Sequence, residues 1–88
     1  GMYYDQYNTS YIEVTSVGSD YFVFNGSWYR IWSMENETAF CSGNEAHFSD
    51  QWTQGTIRFL DKGTMEVIID STSIPAMEGN NITFTYQP

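Results

Sequence analysis

Few side chains in this 88-residue chain are of types that do chemistry, and their spacing limits what they can do. Cys41 and His47 are the single cysteine and the single histidine. On neighbouring strands they would form a thiol–imidazole nucleophile pair only if both faced the same side. A two-residue turn at Gly43-Asn44 pairs Cys41 with Ala46 and Ala39 with Phe48. Cys41 then shares a face with Ala39, Ala46 and Phe48, while His47 and Phe40 take the other. The expectation is a buried, unreactive Cys41 and a surface His47.

Glu35, Glu37, Glu45 and Asp50 fall in one short stretch and could converge on a cation or a basic partner. No Asp-x-Asp-x-Asp-Gly loop accompanies them, and glycosidase chemistry would need a cleft with one desolvated acid. A solvated acidic face is the expectation. The chain also lacks a nucleophile elbow, a phosphate-binding loop, a dinucleotide fingerprint and a zinc motif. No catalytic residue, metal ligand or cofactor is therefore assigned, and the protein is not expected to be an enzyme.

The remaining candidate is aromatic. Asn25-Gly26 is a strong two-residue hairpin signal, and a turn there pairs Val23 with Trp28 and Tyr21 with Arg30. Tyr21, Val23, Trp28, Arg30 and Trp32 would form one stripe opposite Phe22, Phe24, Tyr29 and Ile31. Tyr21, Trp28, Arg30 and Trp32 are the candidate ligand-binding residues, because Trp, Tyr and Arg dominate binding hot spots. The competing expectation is that the stripe packs under Tyr3, Tyr4 and Tyr7 or closes a second core layer, since so small a domain seldom leaves two Trp uncovered.

The elements that must position these groups are strands. Period-two alternation dominates, punctuated by Gly, Asn, Asp and Ser clusters. Strands are expected at Tyr11–Val17, Tyr21–Phe24, Trp28–Ser33, Thr38–Cys41, Glu45–Ser49, Thr56–Leu60, Thr64–Asp70 and Asn81–Tyr86. Parity fixes two further hairpins. A loop at Gly18-Ser19-Asp20 collects Ile12, Val14, Phe22 and Phe24. One at Asp61-Lys62-Gly63 pairs Phe59 with Met65, Ile57 with Val67 and Arg58 with Glu66, with Gly63 left-handed in a bulge. The expected fold is an all-β, seven- to eight-stranded antiparallel up-and-down meander forming a small barrel or strongly curved sheet, filled by its own side chains. Residues 1–10 form an N-terminal segment, in which Met2–Asn8 could make one helical turn, and residues 11–88 form the single domain. Gly1 ahead of Met2 reads as a residue left by tag cleavage.

Composition narrows the partners. Eleven acids against three bases give a net charge of −8, the wrong sign for a nucleic acid backbone or an anionic membrane surface. No apolar run is long enough to span a membrane as a helix. An unknown protein or glycan partner fits the stripe, and a second copy of the chain would suit it as well.

The order of pieces from Tyr11 to Tyr86 resembles a small lipocalin-like β-barrel module of bacterial, Firmicutes-type cell-envelope and secreted proteins. The residues that carry it are Tyr11-Ile12-Glu13-Val14, Tyr21-Phe22-Val23-Phe24, the run from Ala39 to Asp50, Gly55-Thr56-Ile57-Arg58-Phe59, Met65-Glu66-Val67 and the run from Gly79 to Tyr86. The aromatic run from Trp28 to Trp32 departs from that pattern, as does the lack of a Gly-x-Tyr opening. The resemblance implies a lipocalin-like barrel of uncharacterised role, acting outside the cytoplasm as a secreted or lipid-anchored domain. A cytoplasmic role would follow if Met2 were the native start. Such modules are also fused to lysozyme-inhibitor-like segments. That context implies a second function, an acidic inhibitor of a basic enzyme, beside the non-catalytic binding or accessory function that the stripe suggests. A structural, oligomerising module is a third.

Overall fold

The computed structural model describes residues 1–29 and 32–87, residue 76 as backbone only. Among these residues lie eight strands: Met2–Tyr4 (β1), Tyr11–Val17 (β2), Tyr21–Trp28 (β3), Trp32–Ser42 (β4), Glu45–Ser49 (β5), Thr53–Asp61 (β6), Thr64–Thr72 (β7) and Asn81–Gln87 (β8). Each pairs antiparallel with the next, and β1 pairs with β8, which closes an up-and-down barrel. Closure removes most of the exposed edge that an open meander would present.

The hairpin registers follow parity. Gly43, at φ 64, turns the chain so that Cys41 pairs with Ala46 and Ala39 with Phe48. Phe59 pairs with Met65, Ile57 with Val67 and Arg58 with Glu66. The slack in that hairpin is a bulge between Phe59 and Asp61, and Gly63 is not left-handed as expected. Val14 pairs with Phe24, and a second bulge between Val14 and Ser16 absorbs the turn at Gly18–Asp20.

Asn25-Gly26 does not turn the chain. β3 runs through both residues to Trp28, and the reversal follows, with Trp28 opposite Trp32. Packing overrides the local signal. A Cβ on Gly26 would sit 2.3 Å from the Trp28 ring and 3.3 Å from Ile12, so the glycine is the seat of the indole rather than a turn residue. An unbroken strand keeps Phe22, Phe24, Gly26 and Trp28 on one face, all buried. The expected separation of Trp28 from the phenylalanines is thereby corrected: Trp28 is fully enclosed, edge-on to Phe84 at 6.2 Å.

Around it the core stacks Phe22, Phe24, Phe48, Ile57, Met65, Val67, Ile82 and Phe84, with Phe24 and Phe48 edge to face at 5.3 Å. Met77, on the single 3-10 turn at Pro75–Met77, is 1% exposed and belongs to the same cluster. The barrel is filled by side chains, as its small size demands.

Two further expectations are corrected. Residues 1–10 are not a separate segment: Met2–Tyr4 is the strand that closes the barrel, and the chain then turns on Asp5 rather than forming a helix. Asp5 is 7% exposed and accepts bonds from the Thr9 N–H and hydroxyl and from the Ser10 N–H, at 2.8, 2.8 and 3.0 Å. Burial opposes its ionisation, yet these bonds outweigh burial and hold the carboxyl below its usual range. Cys41 keeps its predicted pairing with Ala46 but is exposed, because the β3–β4 rungs end at Tyr21 with Phe40 and no β3 residue lies opposite it on that side.

Antiparallel order gathers the turns at two ends. One end carries the tight turns at Gly18–Asp20, Gly43-Asn44 and Lys62-Gly63. The other carries residues 5–10, Tyr29, residues 50–52 and residues 73–80. Ser10 Oγ accepts from the Tyr29 N–H at 2.9 Å, and Trp52 O accepts from the Ser73 N–H at 2.9 Å, tying neighbouring loops together there.

Gly26→Ala should lower stability by roughly 1–3 kcal/mol through overpacking against Trp28. Thermal unfolding followed by circular dichroism checks this, with a fall in Tm of about 4–8 °C per kcal/mol for a domain of this size. An unchanged Tm would contradict the seating of Trp28 on Gly26.

Candidate acid–aromatic groove

The candidate site is built on a mismatch of strand lengths. β4 has 11 residues and β5 has 5, and their pairing begins only at Ala39 with Phe48. Among the described residues, no strand lies beside residues 32–38 of β4 on the β5 side. The chain crosses this gap as Asp50-Gln51-Trp52. Asp50 Oδ1 fixes the crossing by accepting the Trp52 and Thr53 N–H groups, both at 2.7 Å, in an Asx turn.

A bulge on β4 decides what faces the gap. Gly26 pairs with Met34 and Phe24 with Glu37, so β4 carries one more residue than β3 between these rungs. Asn36, at φ 54, absorbs it, and its N–H donates to Asn25 Oδ1 at 2.9 Å. Parity slips by one, and Glu37 takes a position in register with the core residue Phe24. Its carboxyl meets that of Asp50. Burial first, then the hydrogen bond and the charge of Asp50, push the Glu37 carboxyl up to about 7. Glu37 therefore keeps its proton up to near neutrality.

Trp32, Met34, Glu35, Gln51 and Trp52 complete the groove around this pair. Trp52 is 50% exposed, whereas Trp32 is half-buried and packs on the core. The Nε1–H groups of Trp28 and Trp32 are enclosed without a partner among the described residues. Glu37 also lines a second concavity on the outer face of β4–β6, which contains Phe40, His47 and Asp70. There Thr56 Oγ1 donates to Asp70 Oδ2 at 2.7 Å and lies 3.2 Å from His47 Nδ1. The hydroxyl sits between imidazole and carboxylate. In a nucleophilic triad the imidazole would occupy the middle, so this chain of bonds orients His47 rather than activating Thr56.

The predicted stripe is not assembled. Tyr21 lies at the opposite end of β3 from Trp28, roughly 20 Å away along a seven-residue rise. It is exposed beside Phe40, which in turn pairs with His47. Trp28 is core. Arg30 lies outside the described residues. Of the three described, Trp32 reaches the groove. Of the four acids, Glu37 and Asp50 converge with Glu35 nearby, while Glu45 belongs to a separate surface pair with Arg58 at 3.2 Å. Trp52 carries the exposed aromatic surface in place of Trp28. Its signal in the sequence was a large apolar residue two positions after the turn-forming Asp50.

Chemically, the groove offers carboxyl acceptors between indole walls. Glu37 and Asp50 touch each other, whereas glycosidases hold their carboxyls about 5 Å or more apart to admit a sugar carbon or a water. Among the described residues no three His, Cys, Asp or Glu side chains are grouped to hold a metal, and no helix is long and apolar enough to cross a membrane.

The raised Glu37 carboxyl sets the sign of a pH effect. The folded state holds this proton more tightly than the unfolded chain, so the contribution to stability is full below about pH 4.5 and is lost as pH rises through about 7. Glu37→Gln should flatten stability between pH 5 and 8 and raise it at pH 8 by about 1 kcal/mol, a value discounted for solvent screening. Urea unfolding at the two pH values measures this. Parallel pH profiles for the two proteins would rule out a protonated Glu37.

Compared with family models, curated proteins and solved structures, the chain matches none. Its function is therefore argued from the groove.

Proposed function

We infer that the protein is a non-catalytic binding or accessory module working outside the cytoplasm, and that its contact surface is the Trp32–Trp52 groove. The observation that carries this reading is the half-exposed Trp52 beside a carboxyl pair on a chain of net charge −8. An exposed tryptophan next to hydrogen-bond acceptors suits a ligand with one apolar face and many donors, and a glycan has both. The filled interior directs binding to the outside of the barrel. Extracytoplasmic placement and kinship to lipocalin-like envelope modules rest on the sequence resemblance and belong to the same proposal.

The second reading is an acidic inhibitor of a basic enzyme. It is favoured by the same carboxylates, since Glu35, Glu37 and Asp50 crowd one end of a chain with only three cations. A lysine or arginine inserted between Trp32 and Trp52 would gain both ion pairing and a cation–π contact.

Titration of Trp fluorescence with a chitin tetrasaccharide and with hen lysozyme, at low and physiological salt, separates the two. Saturable, salt-insensitive sugar binding that weakens at least about tenfold in Trp52→Ala supports the first. Salt-sensitive lysozyme binding weakened by the same substitution supports the second. Affinities that Trp52→Ala leaves unchanged would remove the groove from both.

A further inference from the structure

A second mismatch of strand lengths leaves a different kind of site. β1 has 3 residues and β8 has 7, and their rungs stop at Tyr4 with Thr85. Backbone direction along β8 is fixed by two bonds: the Tyr86 N–H donates to Gly63 O at 2.7 Å, and Asn80 O accepts from the Ile69 N–H at 2.9 Å. Even-numbered residues of β8 therefore turn their backbone groups to β7, and odd-numbered residues turn theirs away. Thr85 and Gln87 meet Tyr4 and Met2 of β1. Asn81 and Thr83 point the same way, and among the described residues no strand lies opposite them.

The vacancy is built into the fold. Had β1 continued, residues 6 and 8 would have filled the rungs at Thr83 and Asn81. The chain instead turns back at Asp5, which is held by Thr9 and Ser10, and the Asn8 N–H donates to Asp5 O at 3.2 Å. Asn8 takes φ 55 to do so. What remains is a groove floored by Asn81 and Thr83 and walled by Gln6, Tyr7 and Tyr29. Tyr7 is 75% exposed and Tyr29 43%.

We propose that this groove is a β-augmentation site, in which the backbone of an extended peptide from a partner protein completes the rungs at Asn81 and Thr83. Two N–H and two C=O groups spaced two residues apart match the repeat of a strand, and few other ligands match it. The two tyrosines give side-chain contacts to alternate residues of the guest. The acidic net charge favours a guest carrying Lys or Arg over one carrying Asp or Glu. A second copy of the barrel fits poorly, because the loop at Asp5–Asn8 stands beside the edge and only a thin strand can enter.

Amide hydrogen exchange resolved by residue tests this. Without guest, the Asn81 and Thr83 amides should exchange at least about 100-fold faster than those of Ile82 and Phe84, which bond to β7. An acetylated six-residue peptide of alternating Val and Lys, at millimolar concentration, should slow Asn81 and Thr83 about tenfold or more and leave Trp52 resonances in place. Thr83→Pro removes an edge N–H that no described strand uses, so it should melt within a few degrees of the parent and lose the peptide effect. Should that variant not fold, the same peptide N-methylated at alternate residues should fail to protect the parent. Equal protection of all four amides without guest, protection that grows with protein concentration alone, or peptide protection that survives either change would overturn the proposal.

Discussion

The indole of Trp28 resting on Gly26 is the contact on which the rest of the barrel depends. An eight-stranded barrel encloses a space that a small chain must fill with few side chains, and one tryptophan fills a large share. It can do so only where the strand beneath has no Cβ. That requirement keeps β3 straight through Asn25-Gly26, sets Trp28 opposite Trp32, and so makes β4 long. A turn at Asn25-Gly26 would put Trp28 on the outer face and leave the space under Phe84 empty.

A long β4 beside a short β5, and a long β8 beside a short β1, are two versions of one device. In each case the shorter strand is ended by an aspartate that captures backbone N–H groups two to five residues onward: Asp50 with Trp52 and Thr53, Asp5 with Thr9 and Ser10. Both exits lie at the end of the barrel that carries the longer loops. The consequences differ with what faces each gap. At β4 the bulge at Asn36 brings a carboxyl to a core-register position, so the gap is polar and titratable. At β8 the one acid at the gap, Asp5, is already bonded to Thr9 and Ser10, and what the gap presents is the backbone of Asn81 and Thr83, opposite which no described strand lies. Closure thus removes most of the sheet edge and leaves a short, defined part of it.

Most of the fold was legible because parity is a strong constraint. Burying one face decided the pairings of Cys41 with Ala46, Phe59 with Met65 and Val14 with Phe24 without reference to distant parts of the chain. The reading broke where a local preference and a distant packing need named the same residues. Asn-Gly is a turn signal in isolation, and only the Trp28 ring arriving over Gly26 makes it a strand. The acid–aromatic groove was hidden for a related reason. A single bulged residue between Met34 and Glu37 resets the parity of β4, with nothing in the local composition to announce it. Tyr21 and Trp28 shared a face on paper, yet a strand that does not turn carries them to opposite ends.

A filled interior also decides where binding can occur on this barrel. In barrels of this strand number, side chains either meet across the axis or stand back around one small ligand. Here Phe24 meets Phe48, Trp28 meets Phe84, and Met77 joins the same buried cluster from outside the sheet. Admitting a ligand would expose several of these at about 1.5–3 kcal/mol each, comparable with the whole stability of a small domain. Contacts made at the outer gaps cost the core nothing, because the groups there are already facing water or each other. Recognition is therefore expected to depend on the short strands that end early, and less on the residues that the barrel encloses.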